Sequence, residues 1–292
     1  MAHLLYRTYA KVNLSLEIVG KRPDDFHELA SLVHTVSLAD DLRIAAADEL
    51  LTRVEGLDID PETNLVWRAA RLLAQSTGER RGAELTLVKR IPAAAGMGGG
   101  SSDAATTLVG LNRFWGCRLP MRELEALAIE LGSDVPFLVR GGAALMQARG
   151  ETLQPLPALR GQWLTLLVPP HNVTDKTRRL YTALQQSDFS SGDISRRAAD
   201  RLTRSEILED RDLANGFDRS ARRVFPTLAD TWPEVERRTG KRFHLSGAGP
   251  SIFALAADRA DAKRALVEIA DLGQAFSVRT VKHARASITI AL

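Results

Sequence analysis

The sequence predicts an α+β protein built from two domains. Stretches with the two-residue apolar repeat of strands and stretches with the helical repeat follow one another without strict alternation, which favours α+β over a doubly wound sheet. The chain has 292 residues, a comfortable length for two domains. The segment 153–160 holds Pro155 and Pro157 and is the predicted join. We therefore expect a first domain over residues 1–154 and a second over residues 155–292.

The first domain is predicted to open with a strand over residues 6–19. Its apolar positions alternate with polar ones. The apolar set is Val12, Leu14, Leu16 and Ile18, and the polar set is Lys11, Asn13, Ser15 and Glu17. Because side chains repeat every two residues along a strand, Lys11 and Asn13 lie on the same face, opposite the core. A turn over 20–25 follows, and then further strand over 32–44, interrupted near Asp40 and Asp41.

Helices and strands are mixed in the remainder of the chain. The first domain continues with a helix over 64–75, a strand over 83–88, a loop over 92–100, helices over 101–111 and 121–131, and a strand over 143–148. The second domain is predicted to contain a strand over 163–168, helices through an arginine-rich region, a glycine loop over 246–251, a strand over 252–256, a helix over 258–272 and a strand over 276–282.

Composition and charge exclude several classes of protein. Apolar residues make up 45% and charged residues 26%, the balance of an ordinary globular protein. The single cysteine, Cys117, excludes an intramolecular disulfide and fits a reducing compartment. The sequence lacks an apolar start of signal-peptide length and a run of 18 apolar residues, so a cytoplasmic protein without a membrane segment is predicted. The net charge of +3 is dispersed and shows no clustered basic face of a nucleic-acid binder, and it suits anionic small substrates at least as well as nucleic acid.

A glycine-rich segment over residues 92–103 carries the strongest chemical signal. Four of its glycines stand immediately before a predicted helix. Glycines let the backbone approach a ligand closely, and the start of a helix offers unpaired N–H groups and the positive end of its dipole. Together they predict an anion site suited to a triphosphate, with Ser101, Ser102 or Asp103 as the helix cap. A flexible loop with an ordinary cap is the alternative, and the spacing matches neither the Walker A nor the Rossmann pattern.

This segment and the alanine-rich helix after it resemble the ATP-phosphate loop of the GHMP kinases. Two further motifs of that family occur in the same order, AKVNL at residues 10–14 and LSGAGPS at residues 245–251. Three motifs in order over most of the chain are much more specific than one glycine loop. The resemblance implies a kinase that uses ATP on a small-molecule hydroxyl. It also implies an N-terminal domain like ribosomal protein S5 domain 2 and a ferredoxin-like C-terminal domain, with both substrates in the cleft between them.

Within the superfamily, the details resemble the kinases of the non-mevalonate isoprenoid pathway that act on a cytidine diphosphate-linked methylerythritol. The matching stretches are residues 10–14, 20–22, 25–29, 64–66 with the helix after them, 96–103 and 131–137. The resemblance is nearly continuous from residue 9 to residue 151 and then thins until residues 246–251. It implies the 2-hydroxyl of the methylerythritol unit as the phosphate acceptor.

The resemblance assigns Asp134 as the catalytic base and Lys11 as its electrostatic partner. A carboxylate at the acceptor hydroxyl can take its proton as the oxygen attacks the γ-phosphorus. A nearby cation keeps that carboxylate ionised and stabilises developing negative charge. From the residues alone, Asp134 before Pro136 is typical of an N-cap or an Asx turn. Lys11 is, on the same basis, a solvated lysine on a strand.

The resemblance also implies the binding residues of both substrates. Phe26, where the family usually has tyrosine, stacks on the cytosine, His27 reads the edge of the base, and Tyr181 stacks on its other face in a loose alignment. The acceptor site comprises Asn13, Phe26, His27, Tyr181, Gly247 and Gly249. The ATP site comprises Asn64, Leu65, Val66, Pro92, Ala93, Ala94, Ala95, Gly96, Met97, Gly98, Gly99, Gly100, Ser101, Ser102 and Asp103. From the residues alone, Phe26 could be a core aromatic, His27 a surface histidine and Asn64 a helix start.

The histidines have no metal-ligand spacing with cysteine or carboxylates, so no zinc or other protein-held metal is predicted. Mg²⁺ is expected to arrive with ATP. We expect a small-molecule substrate, no nucleic acid, no membrane, and a monomer or homodimer.

Three alternatives stay open at the level of sequence. A homoserine or sugar kinase of the same superfamily is disfavoured by residues 25–27, because an aliphatic substrate has no use for a base-stacking site. A non-catalytic nucleotide-binding protein on this scaffold would be expected to have lost Lys11 or Asp134. A nucleic-acid-binding role is the third, suggested by the basic net charge and by the ribosomal relative of the first domain.

Overall fold

The computed structural model describes residues 3–55, 63–159, 161–171 and 173–283, together with the backbone of 285–290. Arg160, at the end of the predicted join, lies outside the described residues. The strands are β1 (His3–Asn13), β2 (Ser15–Lys21), β3 (His27–Ala45), β4 (Leu50–Glu55), β5 (Ala83–Val88), β6 (Ala143–Ala148), β7 (Thr152–Leu156), β8 (Trp163–Val168), β9 (Ala214–Asn215), β10 (His244–Leu245), β11 (Ile252–Ala256), β12 (Gln274–Arg279) and β13 (Arg285–Ile290). The helices are α1 (Leu65–Thr77), α2 (Gly99–Phe114), α3 (Met121–Ile129), α4 (Val135–Arg140), α5 (Lys176–Thr182), α6 (Asp193–Thr203), α7 (Asp218–Val224), α8 (Pro226–Thr239) and α9 (Arg259–Ile269).

Strand β3 organises the larger of two sheets. It is 19 residues long, and β2 and β1 pair antiparallel with one of its edges. Its other edge pairs with β6 and then with β5, also antiparallel. Strands β7 and β4 extend the sheet beyond β6 and β5. The long strand therefore connects elements that are far apart in sequence.

Late segments of the chain complete this sheet. Strand β13 pairs antiparallel with β1, with His3 opposite Ile290. Strand β9 pairs parallel with β2. The two halves of the chain are thus joined by strand pairing as well as by the proline-containing segment. The domain boundary between residues 154 and 155 stays a prediction.

A smaller antiparallel sheet lies in the second half, with strand order β10-β11-β8-β12. Helix α9 packs on it, and the Thr165 hydroxyl donates a hydrogen bond to the Ala262 carbonyl oxygen at 3.3 Å. Strands β8 and β11 have the bounds that the apolar pattern predicts. Their nearly continuous burial explains why the sequence signal there is strong.

Apolar side chains fill the space on both sides of the large sheet. One core lies between the sheet and helices α1 to α4, and it includes Leu42, Leu73, Leu85 and Leu108. A second core lies where the halves meet and combines Val12 and Leu32 with Leu164, Leu166 and Leu202. A third fills the second half around Phe217, Phe225 and Trp232. No helix among the described residues is both long and apolar enough to span a membrane.

The predicted interruption near Asp40 and Asp41 is wrong, because β3 runs through both residues. The Asp40 carboxylate is buried. It accepts hydrogen bonds from the Lys89 ammonium and, at 2.7 Å, from the Ile91 N–H group. The buried Asp40 carboxylate is therefore hydrogen-bonded by groups distant in sequence, and the strand continues through it. The predicted strand over 6–19 is divided at Leu14 into β1 and β2.

Candidate active site

A cavity of about 470 Å³ lies beside the glycine-rich segment. Its wall is formed by Lys11, residues 63–66, Leu87, Lys89, residues 91–101, Asp103, Asp134, Lys176, Thr177 and Ala248. Every residue predicted to bind ATP lines it except Ser102. Both residues predicted to be catalytic, Lys11 and Asp134, also line it.

The glycine loop leads into α2, which begins at Gly99. Gly98 occupies the N-cap position with a φ of 66°, and no side chain caps the helix there. The predicted cap by a side chain within 101–103 is therefore wrong. Ser102 is buried, and its hydroxyl donates instead to the Tyr9 carbonyl oxygen at 2.7 Å. With no side chain at the cap, the first N–H groups of α2 remain available to an anion in the cavity.

Two glycines of the loop are required by close contacts. Gly98 and Gly96 have φ values of 66° and 84°, which other residues rarely adopt. A β-carbon at Gly98 would lie 3.0 Å from Lys11 Cγ, and one at Gly96 would lie 2.6 Å from the Ser246 carbonyl oxygen. The loop is thus packed against the Lys11 side chain and against the second glycine loop, residues 246–251.

The side chains of Lys11 and Asp134 meet on the cavity wall. Lys11 Nζ lies 3.3 Å from Asp134 Oδ2, and the exposed fractions of the two side chains are 5% and 30%. Asp134 occupies the N-cap position of α4, but its side chain makes no capping hydrogen bond. Its carboxylate faces the lysine and the cavity instead of the helix. This arrangement is the one expected of a general base beside a fixed cation.

Asn13 holds the ammonium group of Lys11 from the other side. Its Oδ1 accepts a hydrogen bond from Lys11 Nζ at 2.6 Å, and its Nδ2 donates to Ser31 Oγ at 2.7 Å. Ser31 in turn donates to the Ser15 carbonyl oxygen at 2.6 Å. The prediction that Lys11 and Asn13 share one face of the strand is confirmed. The predicted hydrogen bond from Asn13 to the acceptor stays a prediction, and the amide is here committed to Lys11 and Ser31.

A buried ionic cluster lies under the start of α2. The Lys89 ammonium contacts Asp40, and it donates to Asp103 Oδ2 at 2.7 Å, while the Thr8 hydroxyl donates to Asp103 Oδ1 at 2.5 Å. Burial raises the pKa of Asp103, against the attraction of Lys89. Burial acts to lower the pKa of Lys89. The attraction of the ammonium to the Asp103 and Asp40 carboxylates outweighs burial, so the pKa of Lys89 lies above its ordinary value. The cluster therefore anchors the cavity wall with a permanently charged lysine.

His27 and Tyr181 form an aromatic stack at the start of β3. Their ring centroids are 4.7 Å apart with 26° between the planes, and Phe217 packs edge-on against Tyr181 at 4.9 Å. Burial, and secondarily the charge of Lys21, lowers the pKa of His27. Its ring is therefore neutral near pH 7, with one N–H donor and one acceptor nitrogen. A flat ligand with a polar edge suits such a pair.

Phe26 is half exposed at 50%, which excludes the core-aromatic alternative. The guanidinium carbon of Arg149 lies 3.4 Å from the centroid of its ring, so one face is covered by a cation. The stacking of Phe26 on a base stays a prediction. Asn64 does cap α1, since its Oδ1 accepts from the Val66 N–H at 2.9 Å, and it also lines the cavity. Both interpretations of Asn64 therefore hold together.

Sequence reasoning missed two charged residues of this cavity, Lys89 of the buried cluster and Lys176. Lys176 contacts both glycine loops. Its ammonium donates to the Ala94 carbonyl oxygen at 2.6 Å and also to the Gly249 carbonyl oxygen. It thereby connects the two glycine loops. A signal was present in the composition, because the chain has only seven lysines against 32 arginines. Three of those lysines line the cavity, and none of the arginines among the described residues does.

Comparison with known proteins identifies the chain. The family model for the GHMP kinases N terminal domain matches residues 64–142, and the model for the GHMP kinases C terminal matches residues 198–275. A 4-diphosphocytidyl-2-C-methyl-D-erythritol kinase of Dehalococcoides mccartyi is 41% identical over 275 residues, which is 93% of this chain and 96% of that protein. The chain belongs to the GHMP kinase family. A kinase of the same name from Gloeobacter violaceus is 38% identical to this GHMP kinase. The match spans 265 residues, which is 88% of this chain and 87% of that protein.

Solved structures confirm the predicted two-domain GHMP kinase fold. A crystal structure of 4-(cytidine 5'-diphospho)-2C-methyl-D-erythritol kinase superposes with a TM-score of 0.80 at 33% identity, covering 94% of this chain and 98% of that one. A homoserine kinase from Cytophaga hutchinsonii superposes with a TM-score of 0.74 at 18% identity, covering 98% and 97%, and it shows the fold alone. The family uses ATP, so the chain is an ATP-dependent kinase of a small molecule.

Proposed function

We propose that this GHMP kinase transfers the γ-phosphoryl group of ATP to the 2-hydroxyl of 4-diphosphocytidyl-2-C-methyl-D-erythritol. The observation that carries the proposal is the Lys11–Asp134 pair, 3.3 Å apart, in the same cavity as the uncapped start of α2. A proton acceptor, a cation and an anion site thus share one space. The relatives named for this acceptor cover nearly the whole chain, which supports the substrate.

ATP binds with its phosphates on the glycine loop. The N–H groups at the start of α2 donate to phosphate oxygens, and the positive end of the helix dipole favours their charge. The adenine lies against the apolar side chains of Leu65, Val66 and Leu87 on the same cavity wall. Asn64 fixes that wall by capping α1.

Transfer is direct. Asp134 accepts the proton of the acceptor hydroxyl as its oxygen attacks the γ-phosphorus. A bond forms between the acceptor oxygen and phosphorus, the bond from phosphorus to the β,γ-bridging oxygen breaks, and its electron pair leaves with ADP. Lys11, held by Asn13, stabilises the negative charge on the transferring group.

The length of the acceptor fits the distance between the two parts of the site. His27 lies four residues before Ser31 on β3, which corresponds to about 13 Å in an extended strand. Ser31 is hydrogen-bonded to Asn13 beside the reacting groups. A cytosine joined through a diphosphate to a short polyol can contact both ends. Homoserine or mevalonate has no group for the His27–Tyr181 stack, which favours the cytidyl acceptor over the first alternative.

Mg²⁺ bound with ATP would neutralise the charge of the phosphates. The described residues contain no group of three His, Cys, Asp or Glu that could hold a metal ion. Asp103 is committed to Thr8 and Lys89. The residues present fit an ion bound mainly by phosphate and water, with Asp134 as the carboxylate that remains open to the cavity.

The proposal includes a cytoplasmic enzyme, monomeric or homodimeric, that binds no nucleic acid. The presence of both Lys11 and Asp134 in one cavity favours catalysis over a purely nucleotide-binding role. RNA binding that weakens with salt and needs no ATP would support the nucleic-acid alternative instead.

The identity of the product tests the proposal. Purified protein with Mg-ATP and the cytidyl acceptor should release one ADP for each new phosphate monoester, and phosphorus NMR should place that monoester on the 2-oxygen. ATP consumption that yields free phosphate, or a monoester on another oxygen, contradicts the assigned acceptor position. The same preparation without acceptor serves as the control.

A further inference from the structure

Lys176 is a charged residue of the cavity that has no role in the mechanism derived above. It opens helix α5 and lines the cavity together with Lys11 and Asp134. An ammonium group has three N–H donors. Two of them go to the carbonyl oxygens of Ala94 and Gly249.

Those two carbonyl oxygens belong to different glycine loops. Ala94 precedes the glycines that lead into α2, and Gly249 lies in the loop that packs on them, where the Ser251 N–H donates to the Ala95 carbonyl oxygen at 3.2 Å. The ammonium is therefore fixed where the two loops meet. Carbonyl oxygens orient a cation but do not neutralise it, so its charge remains directed at the cavity.

The electrostatic surroundings place Lys176 near the reacting end of the cavity. Its pKa is lowered to about 8, first by burial and then by repulsion from Lys11, against attraction from Asp134. Lys11 and Asp134 are the pair to which the acceptor hydroxyl is assigned. Lys89, the third lysine on the wall, is neutralised by Asp40 and Asp103. Lys176 is thus a cation without a carboxylate hydrogen-bond partner among the described residues.

We propose that Lys176 binds the γ-phosphoryl group of ATP, donating its third N–H to an oxygen of the group that is transferred. The inference rests on the proposed phosphoryl transfer and adds a residue to it. A cation held by both loops contacts the triphosphate only when its terminal phosphate is present. ADP, which lacks that phosphate, does not use the contact.

The competing interpretation is that Lys176 only ties the two loops together. In that case its removal would loosen the whole phosphate site and weaken ATP and ADP alike. The ratio of the two affinities separates the interpretations, and it can be measured without any acceptor.

The experiment is calorimetric binding of Mg-ATP and Mg-ADP to the wild type, Lys176→Met, Lys176→Arg and Arg178→Met. Arg178 is exposed on the same helix and does not line the cavity, so its variant controls for loss of a nearby positive charge. We expect Lys176→Met to lower the preference for ATP over ADP by about tenfold or more, the range of a charge-assisted hydrogen bond. The Arg178→Met variant should keep the wild-type ratio.

Equal losses of ATP and ADP affinity in Lys176→Met, or no loss of either, would overturn the proposal. A second readout is pH, because only the protonated ammonium can donate this contact. The wild-type preference for ATP should fall as pH rises through about 8, whereas the preference of Lys176→Arg should stay constant, since a guanidinium keeps its proton. A flat wild-type profile would also overturn it.

The binding assay is independent of the acceptor. If the wild type binds ATP but does not phosphorylate the cytidyl compound, the proposed function fails and the result for Lys176 still stands. If the ratio is unchanged in Lys176→Met while the wild type phosphorylates the cytidyl compound, the inference fails and the proposed function stands.

Discussion

Lys11 Nζ lies 3.3 Å from Asp134 Oδ2, and the two residues come from the first strand and from the turn before α4. The lysine is buried and also bonded to Asn13 at 2.6 Å, so the ammonium cannot move away from the carboxylate without leaving an unpaired buried amide. The pair is therefore preorganised, with the cation fixed and the carboxylate open to the cavity. This single contact joins the proposed base to the phosphate site.

Removal of the Lys11 charge should affect the chemical step. In Lys11→Met, which keeps an unbranched chain without the charge, we expect kcat to fall by about 10²- to 10³-fold. ATP affinity should change little, because the N–H groups at the start of α2 hold the phosphates. Steady-state ADP release measures both. Lys263→Met is the control, since Lys263 is exposed on α9 and does not line the cavity. A large fall in ATP affinity with unchanged kcat would contradict the role assigned to Lys11.

Removal of the Tyr181 ring should affect acceptor binding only. The ring stacks on His27 and packs on Phe217, and the loss of one stacking contact costs about 1 to 3 kcal/mol per base. We expect Tyr181→Ala to raise KM for the cytidyl acceptor accordingly and to leave KM for ATP unchanged. Tyr181→Phe, which keeps the ring, should behave like the wild type. An unchanged acceptor KM in Tyr181→Ala would place the base elsewhere.

The two glycines that flank the start of α2 should respond differently to alanine. Gly98 has a φ of 66°, and a β-carbon there would lie 3.0 Å from Lys11 Cγ, so Gly98→Ala is strained and displaces the lysine. We expect it to cost about 1 to 2 kcal/mol of stability and most of the activity. Gly100 is helical, and its β-carbon would lie 3.5 Å from Leu65 Cδ1, an ordinary contact. Urea unfolding should show Gly100→Ala close to the wild type in stability, and a similar loss of stability in the two variants would contradict this account of the loop.

Acid should destabilise the fold through His34. Its Nε2 accepts the Leu159 N–H at 2.9 Å and its Nδ1 contacts the Thr35 carbonyl oxygen at 2.9 Å, which fits the neutral ring with the proton on Nδ1. Burial lowers its pKa to about 4, while in the unfolded chain it is about 6.5. Between these values the unfolded chain binds more protons, so the free energy of unfolding falls as pH drops from about 6.5 to about 4, by about 3 kcal/mol in total.

The free energy of unfolding in urea at about pH 7 and about pH 5 measures this effect. His34→Gln keeps an amide that can donate and accept but does not titrate. We expect the variant to be less stable than the wild type near neutrality and to lose less stability on acidification. An identical pH dependence in both proteins would show that another group is responsible.

The sequence predicted the parts of the site that depend on local pattern or on motif. The two-residue repeat of β1 was sufficient to place Lys11 and Asn13 on one face, and the glycine motif was sufficient to place a glycine loop at the start of a helix. Asp134 came from resemblance alone, because its spacing favours a helix cap or Asx turn over a catalytic role. The structure shows that it caps nothing.

Long-range contacts account for what could not be predicted. The pairing of Asp40 with Lys89 depends on two strands that are neighbours only in the folded sheet. The position of Lys176 depends on where α5 begins relative to both glycine loops, and no periodicity carries that information. The same reason applies to β13, whose partner is the first strand of the chain.

The most direct test of the central claim is kcat/KM for ADP release with Mg-ATP on three acceptors: 4-diphosphocytidyl-2-C-methyl-D-erythritol, homoserine and mevalonate. Wild type and Asp134→Asn are compared. The account predicts turnover on the cytidyl compound alone, reduced in the variant by about 10²- to 10⁴-fold with ATP binding retained. Comparable turnover on homoserine or mevalonate, or full activity in Asp134→Asn, would contradict it.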